Sequence, residues 1–165
     1  MNHNSWWDGL IPFYLDRKLF RQNARGMMEK KQLERYSFFR RLGVYSIEPE
    51  IPRSALLSLR YSVESMQNPN ASLYIYPEGK LVPFTGDIKP FKKGLGWLAK
   101  QCPDADLVPI AIFIHTMKSD KPQLHVSVGE SVDVSRTIDA NTINFHLENS
   151  LRGILAETVI RATTS

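Results

Sequence analysis

Two residues near the start of the chain have the types and spacing that proton-transfer chemistry needs. His3 and Asp8 stand five apart in Met1-Asn2-His3-Asn4-Ser5-Trp6-Trp7-Asp8-Gly9-Leu10, the form H-x-x-x-x-D. On a single α-helix, five residues at about 100° each would set the two roughly 140° apart. They meet instead when His3 lies in the turn before a helix and Asp8 in that helix's first turn. Asp8 then hydrogen-bonds one imidazole nitrogen and leaves the other to take a proton from a bound hydroxyl. No Ser or Cys nucleophile is required where the substrate's own hydroxyl attacks. A second reading uses the same letters. Ser5-x-x-Asp8 ahead of Leu10, Ile11 and Phe13 has the form of a capping box, with Asp8 serving a helix N-terminus and His3 an ordinary loop residue. The two readings are compatible, because a cap can position Asp8 for both tasks.

The stretch Tyr76-Pro77-Glu78-Gly79-Lys80 follows the strand candidate Leu73-Tyr74-Ile75-Tyr76. In open α/β sheets ligands sit outside the carboxyl ends of strands, where this turn falls. Pro77 and Gly79 shape a tight turn, so Glu78 either projects into a site or stands solvated at the surface. Lys89, Lys92, Lys93 and Lys100 cluster around a helix that starts near Phe91. A helix N-terminus flanked by lysines suits phosphate, and the same lysines equally make a solvated face. Gly94-Leu95-Gly96-Trp97-Leu98-Ala99 has the letters of a dinucleotide fingerprint without the strand that must precede it, so it is rejected. His115, His125 and His146 read as isolated, exposed or capping residues without metal-ligand spacing. No metal and no cofactor are expected.

These residues need elements to hold them. Ser5 to about Phe20 reads as a helix interrupted at Pro12, in which aromatic residues mix with Arg17, Lys18 and Arg21; such a face either lies at a membrane interface or packs in the core with a basic edge. A short strand is expected over residues 22–28, a helix from Lys30 to Leu42 stopped by Gly43, and a strand at Val44-Tyr45-Ser46-Ile47. Pro52 opens a helix with Leu56, Leu59, Val63 and Met66 at helical spacing. Phe91, Leu95, Leu98 and Ala99 form another helical stripe. Leu107 to Ile114 is apolar throughout except Pro109, as a strand buried on both faces requires. Leu124, Val126 and Val128 alternate with His125 and Ser127, and from Thr142 a last helix carries Leu147, Leu151, Ile154, Leu155 and Val159. Strands separated by helices predict an α/β fold, a single domain over residues 1–165 with a mostly parallel or mixed sheet covered by helices on both faces.

At 165 residues, 42% hydrophobic and 23% charged, the chain has the composition of a globular domain with a proper core rather than a disordered one. Twenty-one Lys and Arg against 17 Asp and Glu give +4, a balance that permits an anionic membrane surface, a nucleotide-bearing donor or an acidic carrier protein and selects none. The single Cys102 excludes an internal disulfide framework and a cysteine-rich zinc site, and suits a reducing compartment. No apolar run reaches the 18 or so residues of a spanning helix.

Taken together, four blocks in order resemble the glycerolipid acyltransferase family, of which bacterial 1-acylglycerol-phosphate acyltransferases are members. Asn2-His3-Asn4-Ser5-Trp6-Trp7-Asp8 is similar to the family's N-H-x-S-x-x-D block. Phe39-Arg40-Arg41-Leu42-Gly43-Val44-Tyr45-Ser46-Ile47 resembles the second, Tyr76-Pro77-Glu78-Gly79 the third (normally F-P-E-G-T-R-S), and Val108-Pro109-Ile110 the fourth. The resemblance implies that His3 is the general base and Asp8 its orienting partner. It implies a substrate-binding role for Glu78, Gly79, Lys80, Arg40 and Arg41. The donor is then an acyl-coenzyme A or acyl-carrier protein, the acceptor a lipid or glycolipid, and nucleic acid is not a partner. Two departures bear on the acceptor. In phosphate-using members the second block normally ends in an arginine where Glu48 follows Ile47 here, and the third normally continues T-R-S where Gly79 is followed by Lys80 and Leu81. Replacing Arg by Glu exchanges a bidentate phosphate clamp for repulsion. The expectation is therefore transfer to a lipid-like or glycosylated alcohol at the cytoplasmic face of a membrane. Second stands a 1-acylglycerol-3-phosphate acyltransferase using Lys80 and the Arg40-Arg41 pair, and third a non-catalytic lipid-binding domain. The family places a hydrophobic strand, and often a membrane-associated segment, before the histidine, so the chain is expected to be N-terminally truncated, peripheral or anchored by the missing segment.

Overall fold

Three short strands in this chain lie parallel, and parallel neighbours need a crossover that an α-helix normally supplies. The computed structural model describes residues 1–81, 83, 87–133 and 138–164. It forms two units, Met1–Asp8 with Tyr76–Ser165, and Gly9–Ile75.

In the Gly9–Ile75 unit, β1 (Asn23–Glu29) lies between β2 (Val44–Ile47) and β3 (Ala71–Tyr74), parallel to both. Gly26 of β1 is level with Val44 on one side and Tyr74 on the other. The chain passes from β1 to β2 through α2 (Lys30–Arg35) and a 3-10 turn over Ser37–Leu42, and from β2 to β3 through α3 (Pro52–Ser65). Pro52 starts α3 because its missing N–H is one of the four that a helix leaves unpaired. The helix expected over Ser5–Phe20 is broken into a 3-10 turn (Trp6–Gly9), α1 (Ile11–Leu15) and a π-helical turn (Asp16–Phe20), with Pro12 in the first turn of α1. Leu33, Phe39 and Val44 make the core, with Leu10, Phe13 and Met28 against them. The apolar stripe expected on α3 is only partly turned inward: Leu59, Val63 and Met66 are half-buried and Leu56 is exposed. Ser62 is fully buried, its hydroxyl meeting that of Tyr45 on β2 at 2.6 Å and donating to the Ser58 carbonyl at 3.0 Å.

The other unit pairs β4 (Ile110–His115) antiparallel with β5 (Gln123–Val128) and packs α4 (Gly94–Gln101) and α5 (Ala140–Thr164) with them. Two clusters fill it: Ile88, Ala111, Leu151 and Leu155, and Ala99, Ile143 and Leu147. The strand expected over Leu107 to Ile114 is seen only from Ile110, with Ile110 to Phe113 all buried, while Val108 lies before it and is exposed. Gly96, whose letters suggested a nucleotide loop, serves helix packing instead. A Cβ there would lie 2.0 Å from the Ala140 carbonyl oxygen, so only glycine lets α4 meet the start of α5 this closely.

His115 and His125 are not isolated. Phe113 is level with His125 and His115 with Gln123, so the two histidines are diagonal neighbours on one face of the hairpin. Their Nε2 atoms lie 3.0 Å apart, and the Met117 N–H donates to His115 Nδ1 at 3.3 Å. Nδ1 of His115 is thus an acceptor, its Nε2–H donates to His125, and His125 carries its proton on Nδ1.

The α/β class follows from the parallel three-stranded sheet, the antiparallel pair and the helices between them.

Candidate active site

The loop before the Trp6–Gly9 turn is held by its first polar side chain. Asn2 is fully buried and mimics a strand partner: its Oδ1 accepts the Ile112 N–H at 2.8 Å and its Nδ2 donates to the Ile112 carbonyl at 2.7 Å. A second bond runs from Nδ2 to Asn4 Oδ1 at 2.6 Å. The residue beside His3 is therefore docked on β4, in the middle of the buried strand.

Asp8 does both tasks that its spacing allowed. Its Oδ2 accepts the N–H of Asn4 at 2.7 Å and of Ser5 at 2.8 Å, while Ser5 Oγ accepts the Trp7 N–H at 3.2 Å. That is a reciprocal cap on the short turn. The same Oδ2 lies 3.3 Å from His3 Nδ1. A carboxylate can only accept, so Nδ1 carries the proton and Nε2 keeps its lone pair. The Asp8 side chain is 1% exposed and that of His3 22%, so the carboxylate is sealed while the imidazole reaches solvent. Asp8 Oδ1 is buried without a hydrogen bond among the described residues.

Glu78 braces this arrangement. It is buried, and its two oxygens accept backbone N–H groups from both sides: Oε1 from His3 at 3.1 Å, Oε2 from Lys89 at 2.9 Å. The tight turn is present as expected, with the Gly79 N–H donating to the Tyr76 carbonyl at 3.0 Å and Gly79 at φ +71°, which a side chain would strain. Tyr76, quoted only as the first letter of a block, touches the site twice. Its ring lies against the His3 imidazole with centroids 4.5 Å apart, and its hydroxyl donates to the Asp8 carbonyl. Neither contact is visible in spacing, since Tyr76 and His3 are 73 residues apart.

Residues 1–113 match the acyltransferase family model. The chain belongs to the acyltransferase family. No curated protein and no solved structure matches it. Membership in the acyltransferases implies acyl transfer in general, with an acyl donor and a lipid acceptor.

Within this acyltransferase the expected site residues divide between the units. His3, Asp8, Glu78, Gly79 and Lys80 share one of them, and Lys80 is exposed. Arg40 and Arg41 belong to the Gly9–Ile75 unit, both exposed on the Ser37–Leu42 turn. Glu48 accepts the Ser54 hydroxyl at 2.9 Å and lies 3.3 Å from Lys30 Nζ. The serine hydrogen bond first, then the lysine, hold its carboxyl below the usual range. Glu48 is thus a carboxylate tied to the start of α3. Among the described residues no group of three or more His, Cys, Asp or Glu is arranged to hold a metal ion.

Proposed function

We propose that the chain is an O-acyltransferase that moves a fatty acyl group from an acyl thioester, on coenzyme A or an acyl-carrier protein, to a hydroxyl of a lipid-like or glycosylated acceptor. The observation that carries this reading is the His3 Nδ1–Asp8 Oδ2 contact at 3.3 Å, which leaves Nε2 as the base. Nε2 takes the acceptor's hydroxyl proton as its oxygen attacks the thioester carbonyl carbon. The tetrahedral intermediate collapses, the C–S bond breaks as the C–O ester bond is kept, and the departing thiolate receives the proton from the imidazolium. Asp8 holds the ring and offsets its transient charge. Glu78 acts as a positioning residue through the backbone of His3 rather than as a ligand of the acceptor, because both its oxygens are already engaged.

The reading favours an uncharged acceptor. Glu48 and Leu81 occupy the positions where arginines would grip a phosphate, and losing each charge-assisted bond costs about 1.5–3 kcal/mol. We place the reaction at the cytoplasmic face of a membrane. Trp6 and Trp7 support this, 41% and 63% exposed within five residues of His3, as interfacial aromatics are. In the other unit Tyr14, Leu19 and Phe20 are exposed beside Arg17, Lys18 and Arg21. No helix among the described residues is long and apolar enough to cross a membrane.

The test is competition. Membranes containing the full-length protein receive one labelled acyl donor with lysophosphatidate and a neutral glycolipid together. Label in the glycolipid is expected. Label mainly in phosphatidate overturns the acceptor assignment and favours the 1-acylglycerol-3-phosphate reading.

A further inference from the structure

We infer that Lys92 is a specificity residue of this site, recognising a phosphoryl group on one of the two substrates; the inference rests on the acyl-transfer reading above. Lys92 reaches the Pro77-Glu78-Gly79 turn by two routes. Its N–H donates to the Pro77 carbonyl at 2.7 Å, which fixes its backbone to the turn. Its side-chain stem then lies across Gly79: a Cβ at that glycine would be 3.2 Å from Lys92 Cγ, 3.3 Å from Cε and 3.8 Å from Cδ. The missing side chain at Gly79 is thus the space that the lysine stem fills. Three methylene positions are held against the turn, and the ammonium is carried beyond it toward solvent, as long cationic side chains do along an apolar path.

The turn that Lys92 covers is the one that positions the base. Glu78 stands next to Gly79 and binds the His3 N–H. Three residues before Lys92, the Lys89 N–H fills the other Glu78 oxygen. One backbone segment, Lys89 to Lys92, therefore both braces Glu78 and presents a cation beside it. Among the described residues the Lys92 ammonium has no ion pair and no hydrogen bond. Structural ion pairs do not use it up.

The site also needs a cation. Asp8 and Glu78 put two buried carboxylates next to His3, so a phosphorylated substrate approaching Nε2 meets negative charge. The ammonium of the exposed Lys92, on the segment bonded to that turn, offsets this repulsion. Both substrate classes can bring the anion: a carrier thioester through the phosphate of its pantetheine arm, or an acceptor through a phosphomonoester. The chemistry of recognition is the same for either, a point charge from Lys92 with Lys80 and Lys89 exposed nearby in the sequence.

The experiment uses the full-length protein and four substrate pairs. Acyl-coenzyme A is compared with the same acyl group on phosphate-free pantetheine, and a phosphorylated acceptor with its dephosphorylated form. Lys92→Ala should lower the kcat/KM ratio of phosphorylated to phosphate-free substrate about 10- to 100-fold in one arm, through KM, and Lys92→Arg should restore most of it. A fall in the donor ratio assigns the phosphate to the carrier; a fall in the acceptor ratio assigns it to the acceptor. If neither ratio changes, or all rates fall together with the melting temperature, the inference is overturned while acyl transfer stands. If the wild-type protein transfers no acyl group with any pair, the acyl-transfer reading fails and takes this inference with it.

Discussion

At the scale of single residues, the proposed base is a histidine held by hydrogen bonds and a ring contact. His3 is held by Asp8 at its ring, by Glu78 at its N–H and by Tyr76 at its face. Glu78 is the residue to change, because a glutamine keeps the size and loses one acceptor. Its amide nitrogen would then face a backbone N–H of His3 or Lys89. For Glu78→Gln we expect a loss of about 1–3 kcal/mol in unfolding free energy, the cost of leaving a buried donor unmet. Acyl transfer should fall mainly in kcat, since the base is displaced rather than removed. Denaturant melts and steady-state rates on the same preparation check this; unchanged stability would remove Glu78 from the bracing role. As candidates, His3, Asp8 and Glu78 were singled out from the letters by residue type and order, and the structure brings the three together. Tyr76 and Asn2 were not so singled out. Their parts depend on which strand or ring lies opposite, and that is decided by contacts across 68 to 110 residues.

Among the elements, local chemistry was read well and long-range chemistry poorly. The limits of β2 and the start of α3 coincide with the expected Val44–Ile47 and Pro52, since Gly43 and Pro52 act on their own backbone. The buried Ser62 of α3 and the His115–His125 pair were missed. One turns on a hydroxyl from a neighbouring strand, the other on strand register, which a single strand's pattern does not contain. Strand β3 supplies a further test through Tyr74. Burial, with the buried Asp16 carboxylate beside it, pushes its phenol up to about 12 from 10. A raised pKa means that the folded state favours the protonated form. Its contribution is complete below pH 10 and is lost as the pH rises from 10 through 12. Wild type should therefore lose stability relative to Tyr74→Phe over that interval and keep a constant difference from it below pH 10. Melting both proteins from pH 8 to 12 measures this, and a difference that stays level throughout would contradict it.

For the whole molecule, the family match ends at residue 113, yet the unit holding the site does not. Leu151 and Leu155 of α5 pack on Ala111, next to the Ile112 that docks Asn2, so residues beyond the match support the strand on which the loop bearing His3 rests. The net charge of +4 sets no acceptor by itself. All of this serves one claim, that His3 takes the proton from the attacking hydroxyl. The measurement that reaches it most directly is the rate of acyl transfer by His3→Ala, set beside wild type at matched folding by circular dichroism and melting temperature. A positioned general base is worth about 10²- to 10⁴-fold in rate, so His3→Ala should retain no more than a hundredth of wild-type activity. Transfer by the folded variant at a rate comparable to wild type would contradict the account.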